Sequence, residues 1–314
     1  MRFNNKSRIY VAGHKGMVGS AVIRLLKKKG YCKIFYKTRK QLDLQNQKKV
    51  YSYIMKIKPQ YVIICAGKVG GIKANSLYKA NFIYENLMIQ NNLINSSYKA
   101  GVKNLIFLGS SCIYPKFARQ PIAENELLNG KLEKTNDAYA IAKIAGIKLC
   151  ESYNVQYNLN YKCLMPCNIF GPNDNYDTDT SHFFPAIIKK IHSAKIKKNK
   201  QIFFWGTGKS KRELIYVDDV AEACIFFLRK KIKDTIINIG SGIDFTIKDY
   251  IKFISKKLDV NAKIKFNKIK ELDGTPRKIL NSSLARKYGW KPKHDFDSAF
   301  ATTYNCFKKN TKPK

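Results

Sequence analysis

A chain of 314 residues that is 45% hydrophobic can bury a sizeable core, in one large domain or two modest ones. It contains no apolar run near the roughly 18 residues of a membrane span, and MRFNNKSRIYVAG lacks the apolar region and cleavage site of a signal peptide, so a cytoplasmic protein with no membrane partner is expected. The formal charge of +37 raises the question of nucleic acid, but the lysines run through the whole chain without any nucleic-acid-binding motif, so the basic field is expected to serve an anionic small ligand instead.

Strand-like and helix-like segments alternate from the start. RIYVAG (8–13) predicts a strand, 13–19 a glycine-rich turn, and 20–29 a helix. CKIFYKT (32–38) predicts a second strand, 46–57 a basic helix ending before Pro59, and YVIICAG (61–67) a third strand. A long helical period covers 78–99, and NLIFLGSS (104–111) predicts another strand. A helix over 137–157 leads into YKCLMPCNIFGP (161–172), a strand running into a loop. After Pro172 come a polar loop, a lysine-rich helix near 184–199, the strand-and-turn stretch KNKQIFFWGTGKSKRELIYVDDVA, a helix near 246–258, DGTPRK, and a last helix from about 297. This order predicts an α/β fold: a doubly wound parallel sheet of Rossmann type with a smaller α/β lobe. Residues 1–167 with about 214–243 are expected to form the first, and about 168–213 with 244–314 the second.

Eight cysteines are scattered without CxxC spacing, and four histidines lie in neither HxxxH nor HExxH spacing, so no metal site is expected. AGHKGMVG, by contrast, carries Gly13, Gly16 and Gly19 between a strand and a helix. There the first glycine allows a tight turn, the second lets backbone approach a pyrophosphate, the third lets helix and strand pack, and Lys15, Met17 and Val18 complete the loop. At the end of the second strand, where an NAD site carries an acid, FYKTRKQLDL places Lys37, Arg39 and Lys40, with Asp43 further on near the expected adenine. Such cations favour a 2′-phosphate, and hence NADP.

AYAIAKIAG places Tyr139 and Lys143 four apart, on one face of a helix. A nearby ammonium is expected to lower the tyrosine pKa and suit it to proton transfer. Three YxxxK matches occur in the chain, so the spacing alone decides nothing. What separates Tyr139 is its place about 30 residues after a strand ending in Ser110 and Ser111, within the same α/β unit as the glycine loop. Ser110 and Cys112 lie two apart, which on a strand points both to one side.

With AGHKGMVGSA, KVGGI, LGSSCIYPK, YAIAKIAGIKLCESYN, NIFGPNDN, WGTGKSKRE, YVDD and DGTPRK, the chain resembles the extended short-chain dehydrogenase/reductases over about residues 7–307. Within them it resembles the epimerase/reductases that convert GDP-4-keto-6-deoxy-D-mannose to GDP-L-fucose with NADPH. The resemblance implies Ser110, Tyr139 and Lys143 as a reductase triad, with Cys112 as base and His182 as acid for epimerisation. It implies cofactor contacts from Leu108, Gly109, Ser110, Ser111, Lys143, Pro166, Cys167, Asn168, Ile169 and His182. Contacts to the GDP part are implied from Lys190, Trp205, Arg212 and Asp273, and a homodimer through the helices near 78–99 and 139–157. Rival readings are another nucleotide-sugar epimerase/reductase of the same fold and a non-catalytic NADP-binding protein. The sequence departs from the family pattern at Cys167, Phe170, Phe183, Phe184 and Lys189, none of them a proposed catalytic position.

Overall fold

The computed structural model describes residues 3–267 and 274–311. Asp273, one of the expected substrate contacts, lies outside the described residues.

Short apolar runs and amphipathic stretches build the first half. They are β1 (Ile9–Ala12), α1 (Met17–Lys28), β2 (Ile34–Phe35), α2 (Gln47–Ile57), β3 (Tyr61–Ile64), α3 (Ile72–Leu77), α4 (Lys79–Lys99), β4 (Asn104–Leu108) and α5 (Asp137–Tyr157). The chain continues through β5 (Asn160–Pro166), β6 (Asn168–Phe170), α6 (Phe183–Ile196), β7 (Gln201–Phe204), β8 (Lys211–Tyr216), α7 (Val217–Arg229) and β9 (Ile236–Ile239). It closes with β10 (Asp244–Thr246), α8 (Ile247–Lys257), β11 (Lys263–Phe266), β12 (Arg277–Lys278), α9 (Ser283–Lys287) and α10 (Phe296–Thr311).

The main sheet is parallel in the order β2-β1-β3-β4-β5-β9. Helices α1 and α7 pack together on one face, and α2, α4 and α5 on the other. Both faces are therefore covered, which is why β1 and β3 are buried at every position and read as unbroken apolar runs. The strand order reverses between β1 and β3, so a crevice opens beyond the carboxyl ends of these strands. A second sheet joins β10, β8 and β12, with β6 also on β8, and β7 pairs with β11. An aromatic cluster fills the space beneath α6: Phe184 lies 5.0 Å from Phe170 and also packs on Tyr250, Phe296 and Phe300. Two of the departures from the family pattern, Phe170 and Phe184, thus meet in one cluster.

Several boundaries differ from the sequence reading. The first helix starts at Met17, three residues early, because the glycine loop itself caps it. The second strand shrinks to Ile34–Phe35, half-buried at the sheet edge. An extra short helix, α3, precedes α4. The expected strand over 161–172 divides after Pro166, where the chain leaves the main sheet and β6 joins the second one. Residues 110–113 are no strand: β4 ends at Leu108, and Ser111–Ile113 form a single 3₁₀ turn. No helix among the described residues is long and apolar enough to cross a membrane.

Candidate active site

The carboxyl ends of β1, β3, β4 and β5 open into a cavity of ≈ 1400 Å³ that extends to the second sheet. Eleven lysines and arginines line it against four carboxylates, so it favours anionic ligands.

The glycine loop forms one end. Gly13 has φ +84°, and a Cβ there would meet the Ala66 backbone nitrogen at 2.6 Å. A Cβ on Gly19 would lie 2.1 Å from the Gly13 carbonyl oxygen. Gly16 differs: its Cβ would meet only that carbonyl, at 3.5 Å, and would otherwise point into open space. Gly16 caps α1 without a side-chain hydrogen bond, so the first-turn N–H groups remain available to an anion. The residues present thus fit a dinucleotide pyrophosphate: a bare backbone cradle at a helix N-terminus. Lys15, Met17, Val18, Lys37, Arg39 and Asp43 also line the cavity. Lys40, expected beside Arg39, does not. Arg39 sits 3.9 Å from Glu85, an acid on α4 that the sequence reading passed over.

The middle of the cavity is built by β4, the turn after it, and α5. Ser110 caps the 3₁₀ turn, its hydroxyl accepting from the Cys112 N–H at 3.2 Å. Ser110 and Cys112 therefore meet through a capped turn, which corrects the strand alternation expected for them. Tyr139 is buried and hydrogen-bonded to Ser110. Burial raises the Tyr139 pKa, the charge of Cys112 raises it further, and the bond from Ser110 opposes both. This corrects the expectation that Lys143 would lower it. The buried Lys143 ammonium donates instead to the Leu108 carbonyl at 2.9 Å, and its own pKa is lowered to about 8 by burial. Its Nζ still lies 5.8 Å from the centre of the Tyr139 ring. Beside it, a Cβ on Gly67 would press on Asn86 Oδ1 at 2.8 Å, so that side chain would have to shift. Asn86 clamps the Lys68 backbone through both its N–H and its carbonyl.

Leu108, Gly109, Ser111, Pro166, Cys167, Asn168 and Ile169 line the wall along β4, β5 and β6. His182 stands at the N-terminus of α6 but makes no side-chain cap bond. Its ring opens on the cavity, and burial within the protein envelope, with help from Lys278, lowers its pKa. The KVGGI turn holds the segment before it: the Gly71 N–H donates to the Thr180 carbonyl at 2.9 Å. Lys190, Trp205 and Arg212 line the far end. Lys190 donates to the Phe203 carbonyl at 2.7 Å, and Trp205 is exposed.

Apart from Lys40, the cavity thus brings together every expected site residue that falls among the described ones. It adds two that sequence reasoning missed. Asn136 donates to the Cys112 sulfur at 3.4 Å, and Lys278 at 3.7 Å. The motif DGTPRK was read for Asp273; its Arg277 faces outward onto Asp244. Strand alternation from Arg277 was the available signal for Lys278. No group of three or more potential metal ligands occurs among the described residues.

Comparisons with known proteins agree with this geometry. The model of the NAD dependent epimerase/dehydratase family matches residues 9–240. GDP-L-fucose synthase 1 of Arabidopsis thaliana is 45% identical over 307 residues, 98% of this chain and 95% of that one. A GDP-6-OMe-4-keto-L-xylo-heptose reductase from C. jejuni superposes with TM-score 0.92 at 34% identity, covering 99% of this chain and 100% of that one. A GDP-L-fucose synthetase from Naegleria fowleri bound to NADP superposes with TM-score 0.88 at 25% identity, covering 99% and 96%.

Proposed function

The chain belongs to the NAD dependent epimerase/dehydratase family and, within it, to the GDP-L-fucose synthases, and from that premise we infer that its cavity epimerises GDP-4-keto-6-deoxy-D-mannose at C3 and C5 and reduces C4 with NADPH, releasing GDP-L-fucose. The observation that carries this reading is the placement of Ser110, Cys112, Tyr139, Lys143 and His182 around one cavity that begins at the glycine loop.

The Gly13–Gly19 loop would hold NADPH, whose chemistry there would be hydride donation to C4. Lys15, Lys37 and Arg39 support the preference for NADP over NAD, as cations facing the region of the adenosine ribose. Ser110 and Tyr139, already hydrogen-bonded to each other, converge on the sugar O4. C3 and C5 both flank the C4 carbonyl, so loss of a proton from either places charge on the same oxygen. Two donors aimed at that oxygen therefore serve both epimerisations and the reduction. In the reduction Tyr139 gives its proton to O4, a direction favoured by the environment that keeps it protonated. Lys143, held by Leu108, orients the ribose next to the nicotinamide.

Inversion at carbon needs a base on one face of the ring and an acid on the other. Cys112 takes the base role, supported by the donors Asn136 and Lys278 on its sulfur. His182 takes the acid role, from the N-terminus of α6. Its place against the cavity wall, and Lys278 second, lower its pKa and so disfavour the imidazolium. Arg212 and Lys190 suit the diphosphate, and Trp205 offers an exposed ring for guanine to stack on.

The same reading makes the protein a cytoplasmic homodimer joined through α4 and α5, which pack on each other and expose Tyr84, Ile141 and Val155. Steady-state kinetics test the cofactor assignment. NADPH should be oxidised only when the keto sugar is present, with a lower KM than NADH. A preference for NADH sinks the NADP assignment.

A further inference from the structure

Lys278 belongs to β12, a strand of two residues whose side chains point opposite ways. Arg277 faces solvent and forks onto Asp244, at 2.6 and 3.1 Å. Lys278 is half-buried and turns into the cavity, where its Nζ lies 3.7 Å from the Cys112 sulfur. Among the described residues it pairs with no carboxylate.

Both partners are anchored to one scaffold. On the Cys112 side, the Tyr114 hydroxyl donates to Asn238 Oδ1 at 2.6 Å, just after the 3₁₀ turn. On the Lys278 side, the Ile279 N–H donates to Gln120 Oε1 at 3.0 Å, and the Leu280 N–H donates to buried Glu213 at 2.9 Å. Asn238 closes the loop between them by donating to the Ile122 carbonyl at 2.9 Å, while the Ile122 N–H donates to the Ile279 carbonyl at 2.8 Å. The approach of ammonium to sulfur is thus fixed from both ends.

We propose that Lys278 is a positioning residue for epimerisation: its ammonium, beside the Cys112 sulfur, holds that sulfur as the thiolate that removes the protons at C3 and C5. This rests on the reading of Cys112 as the base. In each step the C–H bond breaks, an S–H bond forms, and the electron pair passes to O4. An opposite charge in contact with a thiol favours its charged form. The titratable groups around the sulfur are Lys278 from β12, Tyr139 from α5 and His182 at the start of α6, with Glu133 further along the wall, paired to Lys116. Burial raises the Tyr139 pKa, and burial with Lys278 second lowers that of His182, so of these groups Lys278 is the cation in contact with the sulfur. The same charge opposes an imidazolium at His182, but there it acts second to burial, whereas it touches the sulfur.

The test is iodoacetamide alkylation of Cys112 in the full-length protein from pH 5 to 10, followed by peptide mass mapping. The Lys278→Met variant should move the midpoint up by about one pH unit, a tenfold loss of thiolate below it, and Lys278→Arg should restore it. Deuterium exchange at C3 and C5 of the keto sugar in D₂O should fall about tenfold at pH 7 in Lys278→Met. An unchanged alkylation midpoint in Lys278→Met overturns the proposal, as does an equal upward shift in Lys278→Arg. If Lys278→Met does not fold, Lys278→Gln takes its place, with the same shift expected and the same unchanged midpoint overturning the proposal. Retained exchange in Cys112→Ser would instead overturn the underlying assignment of the base, so the two failures are separable.

Discussion

Alanine substitution at Gly16 and Gly19 separates cofactor binding from folding within a single loop. Gly16 has φ −73° and ψ 167°, values any residue adopts. Its added methyl meets one carbonyl oxygen at ordinary contact, 3.5 Å. Gly16→Ala should therefore cost no more than about 1 kcal/mol, the loss of a glycine N-cap. That methyl would occupy the space a pyrophosphate needs, so NADPH affinity should fall at least tenfold, about 1.4 kcal/mol. Gly19→Ala presents the opposite case. Its methyl would sit 2.1 Å from the Gly13 oxygen, 2.7 Å from the Gly13 carbon and 2.9 Å from the His14 Cα. All three are backbone atoms, so β1 and α1 must separate, at roughly 1–3 kcal/mol. Thermal unfolding reads the stability, and quenching of NADPH fluorescence in a titration reads the affinity. Parental NADPH affinity in Gly16→Ala would refute the placement of the pyrophosphate on this loop. An unchanged melting temperature in Gly19→Ala would refute the packing argument.

Other outcomes follow from the same geometry. Cys112→Ser should consume NADPH and release a reduced sugar that is not epimerised, seen by NMR of the product; full turnover to GDP-L-fucose would remove the base assignment. Tyr139→Phe should lower kcat by about 10²- to 10⁴-fold while NADPH still binds, which single-turnover kinetics and fluorescence titration would show. Gly71→Ala would press a methyl to 2.3 Å from the Ser181 carbonyl, next to His182; exchange at C3 and C5 should suffer more than NADPH binding. Lys162, buried in β5, has its pKa lowered to about 7 by burial. A lysine neutralised by folding weakens the protein progressively as pH falls from about 10.5 to 7, and fully below that. Lys162→Met should therefore be more stable than the parent by at most about 5 kcal/mol near pH 6, with the gain shrinking toward pH 10 in denaturant melts. A constant difference across that range would contradict the pH-linked origin.

Much of the site was legible because its signals are local. The glycine loop, the Tyr139–Lys143 pair and the serine after β4 each lie within one strand–turn–helix unit, where spacing maps directly onto geometry. The apolar runs of β1, β3 and β4 were legible because a covered parallel sheet demands them. The 110–113 turn was not, since a serine ending a strand and a serine capping a turn look alike in sequence. The second sheet was hidden for another reason: β6, β8 and β12 come from distant parts of the chain, and β12 is too short to show a period. Lys278 accordingly appeared as one lysine among many. The protonation of Tyr139 was misjudged because spacing reports a neighbouring charge but not the burial that outweighs it.

The central claim is best tested by incubating the protein with GDP-4-keto-6-deoxy-D-mannose and NADPH and determining the product by NMR. GDP-L-fucose, inverted at C3 and C5 and reduced at C4, is the expected result. A product reduced at C4 with the D-manno configuration retained at C3 and C5 would contradict the epimerase half, and oxidation of no NADPH would contradict the whole.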